Sequence, residues 1–303
     1  EHSTDDVRTL ALQSKKYPDV DMPVAITQIA GRQIAAEKIP SWKKIEDIRY
    51  PKHLSLEQCS SEITAYYKAG LLQGDSLTDL TGGFGVDCSF LAEKFKSVTY
   101  VERQEELCGI AAHNFHILGL NHINVKNEDG IAHLKAMSPV DCIFLDPARR
   151  NEHGGKAVAI SDCEPDVAAL EGLLLNKAKQ VMVKLSPMLD LSLALRELQQ
   201  TQEVHIISVN NECKELLLIL GQTIPPEIKI HCVNLSTKGE QEEQHFTFTR
   251  EQEQCSQCNY TDSLDEYLYE PNASLLKAGA FKSLSSAFPI RKLQSSLHLR
   301  HLD

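Results

Sequence analysis

Residues 79–87, with the sequence DLTGGFGVD, combine carboxylates and glycines in a spacing that can hold a small ligand. Asp79, Thr81, Gly83 and Gly85 form an acidic strand end followed by an x-G-x-G turn into a predicted helix. Glycine permits positive φ and leaves no Cβ in the way of a ligand, and a helix N-terminus adds unpaired N–H groups. We therefore expect a ligand at this turn, although a glycine turn of purely structural meaning has the same pattern.

Two further carboxylates follow the next two predicted strands. Glu102 ends the strand SVTYVE, where a carboxylate can accept two hydrogen bonds from ribose hydroxyls. The alternative for Glu102 is a charge favoured by the dipole of the helix that follows. Asp129 comes after the third predicted strand and before the helical sequence IAHL, where it is also suited to cap that helix.

A fourth predicted strand runs into the sequence DPARR, which supplies the candidate catalytic residues. Asp146 can orient a nucleophile or accept its proton. Pro147 stiffens the exit from the strand, and Arg149 can hold a base edge or a phosphate. An ordinary turn is the alternative explanation for the Asp-Pro pair.

These residues belong to a chain in which strands and helices alternate from residue 76 onward. The apolar strands indicate a sheet buried on both faces, as in parallel sheets with helical crossovers. The last two strands, VHIISV and KELLLIL, are joined by a short turn and predict one antiparallel strand. Ahead of the sheet, Ser55 and Gln58 have the spacing of a capping box and predict a helix start at Ser55. The predicted strands are SLTDL, SVTYVE, HINVKN, VDCIFLDP, QVMVKLSP, VHIISV and KELLLIL.

The same pattern divides the chain into three parts. Residues 1–54 form a helical segment interrupted by prolines, and residues 55–222 form the α/β domain. Residues 223–303 form a small α+β region that starts with the strands IKIHCVNL and HFTFTRE.

Composition narrows the class of protein. A hydrophobic content of 42% and the absence of any apolar window of about 18 residues predict a globular protein without a membrane span. Nine scattered cysteines favour free thiols in a reducing cytoplasm over a disulfide framework. The net charge of −11 does not by itself suggest a nucleic-acid partner, although the basic stretches 32–53 and 273–302 can face a polyanion or be solvated helix faces.

Two other kinds of site are not expected. Cys255 and Cys258 have the spacing of half a zinc site, but a second pair at suitable spacing is missing and the histidines form no H-x-x-x-H pattern, so we predict no metal. A nicotinamide dinucleotide site requires a G-x-G-x-x-G turn, which the glycine stretch does not contain.

The acidic strand end with x-G-x-G resembles motif I of class I methyltransferases, which use S-adenosylmethionine (SAM). The resemblance implies that Asp79, Thr81, Gly83, Gly85 and Glu102 hold SAM, with Asp129 beside the adenine amino group. The sequence at 146–149 resembles the D-P-P-R motif of enzymes that methylate uracil at C5, with one proline lost. Leu185 stands where those enzymes place their nucleophilic cysteine, so covalent uracil chemistry is not expected.

Four stretches together resemble bacterial SAM-dependent methyltransferases with a C-terminal THUMP-like domain. They are KIPSW, SLEQCSSEITAYYKAG, TDLTGGFGVD with LDPARR, and YEPNASLLKAGAF. The resemblance implies a Rossmann-like seven-stranded methyltransferase sheet, a small ferredoxin-like part and a THUMP-like tail that is incomplete here. It also implies an RNA substrate, tRNA or rRNA. A non-catalytic RNA-binding adaptor with a relic SAM-type pocket is the alternative, and the oligomeric state is left open.

Overall fold

The computed structural model describes residues 2, 4–149, 159–238, 243–261, 263 and 266–293. The chain forms two compact units. The first contains residues 1–146 and 176–181, and the second contains residues 147–175 and 182–303. No helix among the described residues is long and apolar enough to cross a membrane.

In the first unit, helices lead into the sheet and then alternate with its strands. The described helices are α1 (Val7–Leu12), α2 (Met22–Lys38), α3 (Pro40–Lys43), α4 (His53–Gln58), α5 (Glu62–Ala69), α6 (Val86–Ala92), α7 (Glu105–Ile117) and α8 (Gly130–Ala136). The strands are β1 (Ser76–Asp79), β2 (Ser97–Glu102), β3 (Ile123–Asn127) and β4 (Val140–Leu145).

The second unit continues the alternation and then adds a longer run of strands. Its short strands β5 (Ala148–Arg149) and β6 (Cys163–Glu164) pair with each other. The remaining elements are α9 (Val167–Lys177), β7 (Ala178–Leu185), α10 (Leu191–Glu197), β8 (Thr201–Val209), β9 (Glu212–Gly221), β10 (Lys229–Leu235), β11 (Gln244–Thr249), α11 (Arg250–Cys255), α12 (Ala273–Ala278) and α13 (Phe281–Ala287). The end of α9 and the start of β7 belong to the first unit.

The strand order is β7-β4-β1-β2-β3 in the first unit and β11-β10-β8-β9-β7 in the second. In the first unit β1 pairs in parallel with both β2 and β4. In the second unit β8 and β9 form the predicted antiparallel pair, and β10 lies parallel to β8. All seven strands predicted for the core are present, which confirms the mostly parallel, Rossmann-like α/β class.

The predicted helix start at Ser55 is wrong. Ser55 lies inside α4, which begins at His53 and ends at Gln58, and a second helix, α5, begins at Glu62. The chain is extended at Cys59 and Ser61, so the two helices are separate. The sequence also did not predict β5, β6 or α11. The predicted boundary near residue 222 falls between β9 and β10 and stays a prediction.

The N-terminal helices build an aromatic core that reaches the glycine turn. Phe84, which stands between Gly83 and Gly85, is buried against Trp42, with ring centroids 5.3 Å apart. The ring of Tyr50 lies 6.3 Å from Phe84 on a tilted plane. Burying this much aromatic surface contributes on the order of 1.5–3 kcal/mol for each ring. The turn is therefore anchored at its centre by the buried ring of Phe84.

Candidate active site

The candidate site of the first unit lies at the carboxyl ends of its strands. Asp79 is the last residue of β1, Glu102 is the last residue of β2, and Asp146 directly follows β4. The strand order reverses at β1, because β2 and β3 lie on one side and β4 on the other. Open α/β sheets bind ligands at such a switch point. The structure thus brings three of the predicted residues to one edge of the sheet.

Glycine is required at three adjoining places in the turn, for different reasons. A Cβ on Gly82 would lie 2.2 Å from the ring of Tyr100, and one on Gly85 would lie 2.9 Å from the ring of Phe115. Gly83 has φ +55° and Gly85 has φ +87°, in the left-handed region that favours glycine. Around Gly83, however, the nearest atom to a Cβ would be the Thr81 carbonyl oxygen at 3.8 Å. Space is therefore open at Gly83, where a ligand can approach the backbone.

The carboxylate of Glu102 braces this turn. Its Oε2 accepts a hydrogen bond of 2.9 Å from the N–H of Gly83, and its Oε1 accepts one of 2.8 Å from the N–H of Gln104. The side chain of Glu102 is 9% exposed. A carboxylate has about four lone-pair positions, so both oxygens keep capacity for further donors. Glu102 therefore supports the glycine turn and can still accept hydrogen bonds from a diol.

Thr81 joins the ends of β1 and β4. The N–H of Asp146 donates a hydrogen bond of 2.6 Å to Thr81 Oγ1, and the N–H of Thr81 donates one of 3.0 Å to Asp79 Oδ1. The hydroxyl of Tyr100 donates to the Gly83 carbonyl at 2.5 Å. These bonds fix the backbone of the turn from both neighbouring strands.

Several carboxyl groups lie near one another at the site. Burial raises the pKa of Asp79 well above its usual range. The Thr81 N–H lowers it, whereas the carboxylates of Asp87, Asp146 and Glu102 raise it further. Among the described residues, no ion pair involves Asp79 or Glu102. Such an arrangement is suited to a cationic ligand, because a cation would offset the repulsion between the carboxylates.

Comparison with solved structures identifies the family. A crystal structure described as that of a "putative methyltransferase from Porphyromonas gingivalis W83" matches this chain with a TM-score of 0.81 and 33% sequence identity. The match covers 96% of this chain and 77% of that one. This chain belongs to the class I methyltransferase family. The prediction of a methyltransferase is thus confirmed, and its dependence on SAM stays a prediction.

Two family models match parts of the methyltransferase. The model described as protein-L-isoaspartate(D-aspartate) O-methyltransferase matches residues 25–151, which contain the glycine turn and Asp146. The model described as a ferredoxin-like domain matches residues 267–300. The ferredoxin-like part of the predicted C-terminal region is thus confirmed, and its THUMP-like character stays a prediction.

More distant structures share the methyltransferase fold only. An rRNA methylase from Streptococcus thermophilus has 14% identity to this chain and a TM-score of 0.37. The match covers 52% of this chain and 93% of the methylase. A "putative methyltransferase" from Streptococcus mutans in complex with SAH has 13% identity to this chain and a TM-score of 0.38. The match covers 53% of this chain and 96% of the other. Similarities this weak say nothing about the substrate of this methyltransferase. No curated protein shows significant sequence similarity to the chain.

Asp129 caps helix α8, which is one of the two roles that the sequence predicted for it. Its Oδ1 accepts a hydrogen bond of 2.8 Å from the N–H of Ala132 in the first turn of α8. A Cβ on the next residue, Gly130, would lie 2.3 Å from the Leu80 carbonyl oxygen, so α8 begins close to the end of β1. The cap occupies one carboxylate oxygen, and the role beside adenine stays a prediction.

Pro147 and Arg149 stand at the start of the second unit. Pro147 is buried. Arg149 is the last residue of β5, and its backbone pairs with Cys163 of β6. The side chain of Arg149 lies outside the described part of the structure. The catalytic roles of both residues therefore stay predictions.

Sequence reasoning missed a buried charged network beside the turn. Lys68 of α5 is fully buried, and its Nζ lies 2.8 Å from Asp87 Oδ1. Lys68 also donates to Ser60 Oγ at 2.7 Å, and the Ser60 hydroxyl donates to Asp87 Oδ2 at 2.7 Å. The signal in the sequence is a lysine at helical spacing from Ala65, on the buried face of α5. This network holds α5 against the first turn of α6.

Proposed function

We propose that this protein is a SAM-dependent methyltransferase that acts on a base in RNA, of the tRNA or rRNA class. The SAM part is carried by one observation, the open glycine turn whose backbone N–H is held by the Glu102 carboxylate. The RNA part rests on the resemblance of the whole chain to methyltransferases with a THUMP-like domain. It also rests on the Asp146-Pro147-Ala148-Arg149 motif.

The charge of the site favours SAM over a dinucleotide. SAM carries a sulfonium and an ammonium group against one carboxylate, so its net charge is positive. A dinucleotide would instead bring a pyrophosphate to a turn whose pocket holds Asp79, Glu102 and Asp146. Two like charges about 4 Å apart repel by roughly 4 kcal/mol at an effective dielectric constant near 20. The carboxylates thus support a cationic ligand and oppose an anionic one.

Each residue has a proposed role in holding the ligand or the substrate. Gly83 leaves room for the amino-acid half of SAM, and Glu102 accepts hydrogen bonds from the ribose hydroxyls. Asp129 offers its second oxygen to the adenine amino group. Asp146 orients the nucleophilic atom of the base or accepts its proton. Pro147 stiffens the exit from β4, and Arg149 holds the base edge or a phosphate.

SAM supplies a methyl group on a sulfonium, which a nucleophile displaces in line. The protein then contributes mainly by alignment, since fixing two reactants in a near-attack geometry removes much of the entropic part of the barrier. The hydrogen bonds that Thr81 makes to both strand ends keep Asp79 and Asp146 in a fixed relation. A methyl acceptor held by Asp146 would therefore meet a SAM held at the turn.

Calorimetric titration of SAM into the wild type and two variants tests the SAM site. Glu102→Gln keeps an oxygen for the Gly83 N–H but loses the charge. We expect it to bind SAM at least about tenfold more weakly, because hydrogen bonds to charged groups contribute roughly 1.5–3 kcal/mol. Glu105→Gln is the matched control, since Glu105 is exposed in the first turn of α7. Equal affinity in the wild type and Glu102→Gln would refute the ribose role, and no binding by the wild type would refute the SAM site.

Methyl transfer to RNA tests the substrate. RNA from a deletion strain is incubated with labelled SAM and the protein, and nucleoside mass spectrometry identifies the product. We expect transfer by the wild type and loss of transfer in Asp146→Asn with SAM affinity retained. An isoaspartyl peptide is included as a competing substrate, because the isoaspartate methyltransferase model matches residues 25–151. Transfer to the peptide alone would overturn the RNA proposal, and RNA binding without any transfer would favour the adaptor alternative.

A further inference from the structure

In the second unit, the register of three strands places a group of metal-binding residue types on one face. β8 and β10 are parallel neighbours, and His205 of β8 stands directly opposite His231 of β10. Glu203 precedes His205 by two residues on β8, so its side chain leaves the strand on the same face. On the other side of β10, Thr247 of β11 stands opposite His231.

The distances within this group are close to those of a metal site. Glu203 Oε2 lies 3.4 Å from His205 Nε2 and 3.7 Å from His231 Nε2. One ligand atom from each of the three residues lies within 4.8 Å of the others. In a tetrahedral zinc site with bonds of about 2.0–2.1 Å, neighbouring ligand atoms are about 3.3 Å apart. The carboxylate oxygen therefore already stands near ligand spacing from both imidazoles.

The orientation of His231 is set from outside the group. Its Nδ1 is hydrogen-bonded to Thr247 Oγ1 at 2.9 Å. Its Nε2 is buried and makes no hydrogen bond with any described residue. A ring whose Nδ1–H donates to a neighbour presents the lone pair of Nε2, which is how ligating histidines are commonly held. In the tautomer whose Nδ1–H donates to the Thr247 hydroxyl, the lone pair of His231 Nε2 is available to bind a Lewis acid.

We propose that Glu203, His205 and His231 bind a divalent transition-metal ion of the zinc type that joins β8 to β10. Two imidazoles and one carboxylate form a donor set that zinc takes in sites with an open fourth position. The Glu203 side chain is 41% exposed, so water can reach that position. Calcium and magnesium prefer oxygen donors and are not expected here. The two rings stack with centroids 4.5 Å apart and planes 12° apart, so this proposal requires them to turn toward a common centre on binding the metal.

The site was not visible to sequence patterns, which find metal ligands a few residues apart. His205 and His231 are brought together only by strand register. Cys255 and Cys258, which the sequence offered instead, lie elsewhere. Cys255 is exposed, and the Cys258 thiol donates to Ser285 Oγ and the Phe281 carbonyl.

Titration with Co²⁺, followed by visible absorption, tests the proposal. The protein is used without a histidine tag and after treatment with a chelator. We expect binding of one Co²⁺ per chain, with the visible bands of a nitrogen and oxygen site, and displacement of Co²⁺ by Zn²⁺. We also expect Zn²⁺ to raise the midpoint of thermal unfolding. No saturable binding, or a thiolate-to-cobalt charge-transfer band that accounts for all the bound metal, would overturn the proposal.

Variants separate this site from others on the chain. Glu203→Gln and His231→Asn are each expected to abolish equimolar binding. Thr247→Val, which leaves all three ligands in place, is expected to weaken binding by about tenfold, as removal of an orienting partner commonly does. The matched control is His245→Asn, because His245 lies on the neighbouring strand β11 with a side chain 52% exposed. Undiminished binding in both ligand variants, with circular dichroism showing them folded, would refute the assignment.

Discussion

In the first unit, the carboxylates at the amino ends of the strands and those at the carboxyl ends have different surroundings. At the amino ends, Asp141 accepts hydrogen bonds from the N–H groups of Asp75 and Ser76 at 2.9 and 3.1 Å, and from Lys179 Nζ at 2.6 Å. At the carboxyl ends, Asp79 and Glu102 face other carboxylates, and no ion pair of the described residues includes either one. Asp141 is therefore paired with a cation at one edge of the sheet, whereas Asp79 lies beside other carboxyl groups at the other.

The pKa values follow this difference. The hydrogen bond from Lys179 and those from Asp75 and Ser76 lower the pKa of Asp141. Burial raises the pKa of Asp79. A compensated carboxylate stabilises the fold, whereas crowded carboxylates cost stability, which protonation or a bound cation restores. The edge that costs stability is the edge where open α/β sheets bind ligands, and we attribute the crowding to a cationic ligand.

The largest effect is expected from Lys68, the buried cation that compensates Asp87 at the carboxyl edge. Lys68→Met keeps the length of the side chain but removes the buried ammonium group that pairs with the Asp87 carboxylate. We expect a loss of about 3–5 kcal/mol in the free energy of unfolding, as is typical when one member of a buried ion pair is removed. Urea unfolding measures this change.

The control for this variant is Lys96→Met. Lys96 pairs with Asp75 at the amino edge, but both side chains are exposed, at 79% and 72%. Exposed pairs contribute at most about 1 kcal/mol. If both variants lost the same stability, the buried network would have no special part in holding α5 against α6.

A smaller effect on stability, with a large effect on binding, is expected from Gly83→Ala. The left-handed φ of +55° would cost roughly 1–2 kcal/mol with alanine. The added Cβ meets no atom of the described residues closer than 3.8 Å and instead fills the space proposed for SAM. We therefore expect a modest loss of stability and a strong loss of SAM affinity, measured by unfolding and by calorimetry.

Gly119→Ala is matched to this variant. Gly119 has a left-handed φ of +75°, and a Cβ added there would meet no described atom within 4 Å, so the strain is similar. It follows α7 and is not part of the turn. We expect the same modest loss of stability with SAM affinity unchanged. Equal SAM affinity in the two variants would show that no ligand approaches Gly83.

The contrast between the two edges also shows what the sequence could predict. Asp79, Glu102 and Asp146 were found because each stands at the end of an apolar strand, and parallel strands place their ends together. The ion pair of Lys68 was not predicted because its partner, Asp87, lies on another helix. The proposed metal site was not predicted because only the register of β8 and β10 brings His205 and His231 together. The helix start at Ser55 was predicted wrongly because a local capping pattern does not reveal the break at Cys59–Ser61.

The smallest effects, and the most direct comparison of the two edges, come from Asp79→Asn and Asp141→Asn. The folded-state pKa of Asp79 is raised, so its contribution to stability is present below its unfolded pKa of about 3.9 and is lost as the pH rises. The folded-state pKa of Asp141 is lowered, so its contribution is present above that unfolded pKa and is lost as the pH falls.

At about pH 7, we therefore expect Asp79→Asn to be more stable than the wild type and Asp141→Asn to be less stable. The difference for Asp79→Asn should shrink as the pH is lowered toward about 4, whereas the difference for Asp141→Asn should persist to about pH 4 and shrink only below it, which urea unfolding over this range measures. An asparagine at 79 can still accept the Thr81 N–H, so the loss of charge is isolated from the loss of the hydrogen bond. A stability change of the same sign in both variants would mean that the two edges do not differ in compensation, and the electrostatic case for a cationic ligand would then fail.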